Sequence, residues 1–310
     1  MKLWVSATLS AILGTATLTG CKPQEHDVEA VRRALPQATA VQVKLPGATA
    51  ASARALGEQA RFYSITRGVS VDLNLSAAAV LIMVRTIVAF PVTSVEGDTY
   101  IWGPWTDALN PSEYRLSVSE SAAGEYHWSL EGRRKADGVS AAYESVVAGL
   151  AIPGRPLQGQ GTFTMDFDVA ERLDPAGNSG QGRISIDYDL EASPRSIVMD
   201  YERTETPPGG VAADVTFHYE YREAADGGGD FVFAVHGDLD DNGSAWEDLD
   251  IRSRWLASGA GRSDVKVAGG DLKASVLTGV ECWDTSFGRV FWTDSLGWQP
   301  GEGDASSCAF

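Results

Sequence analysis

Asp238, Asp240 and Asn242 occupy positions one, three and five of a loop that bends at Gly243 and continues into Ser244. Alternate oxygen donors at this spacing converge on a hard cation such as calcium, with the Ser244 carbonyl as a further donor. Such a loop closes with a bidentate Glu. The position that would supply it is Leu249, and the neighbouring Glu247 and Asp248 are the substitutes within reach. The same run also suits an acidic hairpin turn in which Asp, Asn and Gly serve backbone geometry alone. The candidate metal ligands are therefore Asp238, Asp240, Asn242, Ser244, Glu247 and Asp248.

A second group of chemistry-bearing residues precedes this loop. A turn over 192–195 pairs Leu190 with Ile197, and the same register sets Asp187 opposite Asp200. Like charges directly opposite one another are destabilising unless they are solvated or bridged by a cation. His218 and His236 share the parity of this non-aromatic face, and one register places them opposite each other. Three readings stand: a solvated acidic face, a divalent-metal site, or a carboxylate pair for acid–base hydrolysis. The last needs a separation of about 5 Å or about 6.5–9.5 Å if the substrate is a polysaccharide.

Residues 160–250 hold 21 Asp and Glu against 5 Arg, so most of the net charge of −17 sits there. That balance argues against nucleic acid as a partner. Gly-x-Ser-x-Gly, His-Glu-x-x-His and Walker patterns are all absent from the sequence, so no catalytic residue is assigned.

The elements that must position these groups are mostly strands. Phe163, Met165 and Phe167 alternate with Thr164, Asp166 and Asp168, and Ile184, Ile186, Tyr188 and Leu190 alternate with polar residues. The same period of two recurs at 197–201, 215–221 and 231–235, with further strands expected across 100–150 and 249–292. Short turn-rich connections require antiparallel neighbours.

Before the strands, 53–63 suits a short amphipathic helix ending near Gly68. A second, almost wholly apolar helix spans 76–90, with Ser76 as its cap and Pro91 forcing its end. The expected fold is mainly β: a large curved antiparallel sheet or partial barrel with the 76–90 helix buried against it and short N-terminal helices.

The chain opens with Met1-Lys2 and an apolar run ending at Leu18-Thr19-Gly20-Cys21. The run has the layout of a secretory signal, and its last four residues resemble the lipobox of bacterial lipoproteins. That resemblance implies a signal peptide over 1–20, diacylglycerol on the Cys21 thiol, and a lipid-anchored mature protein in the cell envelope. Lys22 in place of the family's inner-membrane retention Asp favours the outer membrane, facing either the periplasm or the surface. An ordinary cleaved signal, or an N-terminal anchor left in place, is the alternative.

With Cys21 assigned to lipid, Cys282 and Cys308 remain to form a disulfide in an oxidising compartment, and two unpaired thiols are the alternative. Residues 21–52, rich in Pro, Gly and Ala, are expected as a tether, and 53–310 as one domain with a disulfide-closed, Trp-rich end.

This layout is similar to envelope carriers of the lipoprotein-localisation type, in which a half-barrel and helices enclose an apolar cavity. The resemblance implies a non-enzymatic binding or scaffold role toward an apolar ligand or an envelope protein, with calcium as a candidate stabiliser. The contrasting expectation is a carboxylate-dependent hydrolase acting on envelope polysaccharide. Equally, the aromatic face is plain core.

Overall fold

The computed structural model describes residues 25–47, 58–121, 124–155, 158–177, 180–205, 211–237, 245–270, 276–295, 297 and 300–310. Its period-two segments form β1 (Ser94–Glu96), β2 (Thr99–Trp105), β3 (Ser112–Glu120), β4 (Tyr126–Arg134), β5 (Glu144–Pro153), β6 (Gly159–Asp166) and β7 (Arg183–Asp189). They continue as β8 (Arg195–Glu205), β9 (Ala213–Glu223), β10 (Gly229–Gly237), β11 (Glu247–Trp255), β12 (Gly261–Gly269), β13 (Val276–Trp283), β14 (Arg289–Asp294) and β15 (Glu302–Gly303). The 15 strands pair in strict sequence order, each antiparallel to the next, in one open sheet.

Alternation sorts the apolar residues onto one face. A single cross-strand row runs Phe163, Ile186, Met199, Tyr219, Phe233, Ile251, Val265 from β6 to β12. Toward β4 the row continues through Gly149 to Trp128. A Cβ at Gly149 would stand 2.4 Å from the Trp128 ring, so only glycine leaves the indole its place.

This face is covered by α2 (Arg61–Ala89). The Phe62 ring at the start of α2 lies 5.1 Å from that of Trp292 on β14. Past its far end, the Trp102 indole of β2 donates to the Phe90 carbonyl at 3.0 Å. Twelve strand spacings separate β2 from β14, about 58 Å in a flat sheet at about 4.8 Å each. A 29-residue helix measures only about 43 Å. The sheet must therefore curl around the helix, which is the curved, unclosed architecture expected.

The helix is longer than the 76–90 expected, since Gly68 and Ser76 both lie inside it and neither stops nor starts it. Its true start is fixed from far away. Arg61 and Phe62 amides donate to the two carboxylate oxygens of Glu281 on β13, at 2.7 and 2.6 Å. Beside Glu281 in the cross-strand row stand Ser263 and Ser253, whose hydroxyls bond each other (2.6 Å) and Thr66 of α2 (2.7 Å). These polar groups are fully buried and mutually satisfied, which removes the cost of placing them in the core.

Burial is also one-sided. Tyr63, Thr66, Ala77, Leu81, Val84 and Val88 face the sheet, whereas Leu75 (66% exposed) and Ile82 (57%) lie on an open side. The helix is thus buried against the sheet as expected, but on one face only, because the curled sheet wraps one side of it.

Residues 21–52 do not act as a free tether across their described part. Val28 and Val31 of α1 (Glu25–Ala34), then Leu35, Val41, Val43 and Leu45, are buried in the same core. The two helices cap each other. Arg32 of α1 donates to the Val88 (2.6 Å) and Phe90 (3.1 Å) carbonyls, and Arg85 of α2 donates to the Arg32 carbonyl. Cationic donors at helix C-termini satisfy orphan carbonyls and oppose the helix dipole.

Phe167 and Asp168, expected as the end of a strand, instead begin α3 (Phe167–Leu173), capped by the Asp166 carboxylate, which accepts from the Val169 amide at 3.0 Å. Burial opposes ionisation of Asp166, but the Arg183 guanidinium and the amides outweigh it and hold the carboxyl below the ordinary aspartate range. The unfolded chain takes up a proton first, so the cap stabilises above the ordinary aspartate pKa and is lost as pH falls through the depressed folded value. Asp166→Ala is expected to lower stability by about 1 kcal/mol at neutral pH, and the difference should close in acid. A urea-unfolding series across pH reads both.

Cys282 and Cys308 are joined as a disulfide. Trp255, Trp283 and Trp292 are buried, which makes this end of the sheet packed core; Trp246 stands edge-on to the His236 ring, and Trp298 lies outside the described residues.

Candidate functional site

The structure disperses the residues with the most explicit chemical spacing. Asp238, Asp240, Asn242 and Ser244 lie outside the described residues. Glu247 and Asp248, consecutive at the start of β11, face opposite sides of the sheet. Glu247 is buried on the inner side, whereas Asp248 is exposed and accepts from His236 Nδ1 at 2.7 Å. The two therefore do not converge on one ion. Among the described residues no group of three or more acidic, His or Cys side chains is placed to hold a metal.

The Asp187 and Asp200 pairing is also corrected. Ile197 pairs with Tyr188, not Leu190, so Asp187 stands opposite Val198 and Asp200 opposite Ser185. The cause is the connection. Asp189 accepts from the Glu191 and Ala192 amides (3.0 and 2.9 Å) and ends β7 two residues earlier than the turn signal suggests. Asp187 and Asp200 are thus diagonal neighbours on the outer face, and Asp200 instead accepts from His218 Nδ1 at 2.6 Å. His218 and His236 do share that face, but His218 lies opposite Ala234. Two exposed His–Asp pairs result.

A cavity of about 540 Å³ opens elsewhere, at the rim where β4 begins, β5 ends, β6 begins and β7 ends. Its floor is apolar and aromatic: Leu35, Tyr126, Ile152, Tyr188 and Leu190, with Ala30 and Ala34 of α1 along one side. Its volume lies within the roughly 300–1,000 Å³ typical of small-molecule sites.

Several sequence features build this rim. Gly159 starts β6 at φ +137°, a conformation closed to side-chain-bearing residues, and its carbonyl accepts from the Leu190 amide at 2.9 Å. That bond fixes the chain leaving β7 against the start of β6. The 3.6-residue spacing of Val28, Val31 and Leu35 seats α1 on the sheet and leaves Arg33 off the buried side.

The charged groups lining the cavity are Arg33, Arg85 and Arg155. Arg85 is held by the carbonyls at the end of α1. Arg33 and Arg155 are exposed and join none of the ion pairs among the described residues. Burial pushes the phenols of Tyr188 and Tyr126 up, the latter helped by Glu120 and opposed by Arg33, so both are neutral at physiological pH. Two carboxylates, Glu191 and Glu120, act on lining residues without lining the cavity themselves. Glu191 accepts from the Arg155 backbone amide at 3.3 Å, and Glu120 acts on the Tyr126 hydroxyl.

An apolar cavity was implied by the resemblance to envelope carriers, but its place at this rim was not, because its lining comes from α1, the segment after it, α2 and four strand ends. The one local signal was the Val28, Val31, Leu35 spacing within the stretch taken as tether. No protein-family model, no curated protein and no solved structure matches the chain.

Proposed function

We propose that this protein is a lipid-anchored lipoprotein of the bacterial cell envelope, held in the outer membrane through Cys21, with a non-enzymatic role in binding an apolar ligand. The observation that carries the binding role is the apolar, tyrosine-floored cavity between α1 and the sheet rim. Anchoring is supported by the Leu18-Thr19-Gly20-Cys21 sequence. A disulfide between the other two cysteines fits an oxidising compartment. Among the described residues no acidic side chain lines this cavity, which favours binding over carboxylate catalysis within it.

The test is native mass spectrometry of the full-length protein, taken from its membrane and offered 1-dodecanol. The wild type should bind one molecule and carry the mass of the lipid. Ala30→Trp fills the cavity from α1, where Ala30 is half-buried, and should lose binding at least tenfold while its thermal midpoint stays within a few degrees. Undiminished binding by folded Ala30→Trp would remove the cavity from the proposal. A Cys21 peptide without added lipid mass would remove the anchor.

A further inference from the structure

We infer that the ligand of the rim cavity is an anionic amphiphile: a single apolar chain lying against Tyr126, Tyr188, Ile152 and Leu190, with a carboxylate or phosphate head held by Arg33 and Arg155. This rests on the proposed binding role and adds the charge of the ligand to it.

A cluster of cations without acidic partners is uncommon in this protein. The chain carries 42 acidic residues against 25 Lys and Arg. Elsewhere most of its arginines are paired with carboxylates: Arg115 with Glu131, Arg133 with Glu113, Arg195 with Glu223, Arg252 with Asp230 and Arg254 with Asp264 across the sheet, Arg262 with Asp264 along β12, and Arg172 of α3 with Glu144. In a protein with so many carboxylates, an ion pair is the common fate of an arginine, although Arg61 and Arg67 also join none of the ion pairs among the described residues. At the cavity the pattern differs, with three arginines gathered and no carboxylate in the lining among the described residues.

The three have different jobs. Arg85 spends donors on the Arg32 and Leu35 carbonyls, so it holds the α1 end in place and adds a fixed positive charge behind the site. Arg33, on the last turn of α1, and Arg155, in the turn between β5 and β6, approach the opening from two sides. A guanidinium presents a planar fork of donors matched to the oxygens of a carboxylate or phosphate. Tyr126, Tyr188, Ile152 and Leu190 offer no charged donors, and beyond the two neutral phenols the other side-chain donors of the described lining are the uncharged amides of Gln37 and Gln158, so the charge of the head has its own partners in the arginines. A cationic head would meet three like charges.

The experiment is calorimetric titration of the full chain with four twelve-carbon probes below their micelle concentrations, and with inorganic phosphate. Dodecanoate and dodecyl phosphate should bind one to one and at least tenfold more tightly than 1-dodecanol, and dodecyltrimethylammonium more weakly than the alcohol. The tighter of the two anions names the head group. Inorganic phosphate alone should neither bind nor compete at millimolar concentration. Added salt should shrink the anion preference.

In the double variant Arg33→Gln, Arg155→Gln the preference for anions should vanish while affinity for 1-dodecanol stays unchanged, and Arg33→Lys should retain a preference. Both arginines are exposed and outside the ion-pair network, so the variant is expected to fold. Equal affinity for alcohol and carboxylate, or an anion preference that survives the double variant, would overturn the charged head and leave the apolar-ligand reading standing. Tail-independent phosphate binding would also overturn it. Failure of every chain to bind would overturn the binding role itself.

Discussion

Glu281→Ala is expected to lower the unfolding free energy by about 3 kcal/mol, read as a fall in the urea midpoint at unchanged slope. The residue is wholly buried and its two oxygens take the first two amides of α2. Removing them leaves two orphan donors at a helix start and a void in the core, each of which costs on the order of 1–3 kcal/mol. Glu281→Gln keeps the volume and one acceptor, so about half that loss is expected.

The pH dependence of the pair is informative. Burial is the largest influence on Glu281 and pushes its carboxyl above the ordinary glutamate range, against the two amides and Arg289. The folded state then holds a proton where the unfolded chain has released it. Its contribution is therefore full below the ordinary glutamate pKa and declines as pH rises through the raised folded value. Glutamine does not titrate, so the wild type's advantage over Glu281→Gln should shrink as pH rises across that window. An advantage that grew instead would show that the amides, not burial, govern this carboxyl.

The second large effect is expected at the disulfide. Cys282→Ala combined with Cys308→Ser should cost about 3.5 kcal/mol, the loop-closure value for the 26-residue separation. Reductant should impose a similar loss on the wild type and none on the double variant. The bridge pins the chain end beside β12 and β13, where the Phe310 carbonyl accepts from Arg262 (3.2 Å) and the Phe310 ring lies under Arg254 (5.2 Å). Dodecanoate binding in the rim cavity, which draws on β4–β7, should be unchanged. A loss of that binding on reduction would mean that the sheet responds as one unit across its full width.

Strand positions were legible because period-two alternation is a local consequence of burying one face. The Phe163-Met165 and Ile184-Ile186-Tyr188 patterns sit on the face where they were expected. Register was not equally legible. A slip of two residues preserves every side chain's face, so the pattern is blind to it, and the Asp189 turn bonds decided between two registers that alternation cannot separate. The start of α2 was hidden for a related reason. Its capping carboxylate lies 220 residues away, while Ser76 offered the local signal of a cap that the helix runs straight through. The candidate site was the least legible part. Arg33 and Arg155 resemble scattered surface charge until the curl of the sheet and the seating of α1 bring them to one opening.

The distance between α2 and Glu281 also sets a schedule for biogenesis. During synthesis the 29 apolar-rich residues of the helix appear early, and the strand carrying their cap follows 220 residues later. At translation rates of about 5–20 residues per second the interval is roughly 10–45 s. Throughout it the helix lacks its N-terminal partner, and the β11–β14 surface that will cover Phe62, Tyr63 and Thr66 is incomplete. The nascent chain is therefore most exposed to aggregation between those two events, and a holdase that recognises the 61–89 segment would be most useful to it in that interval.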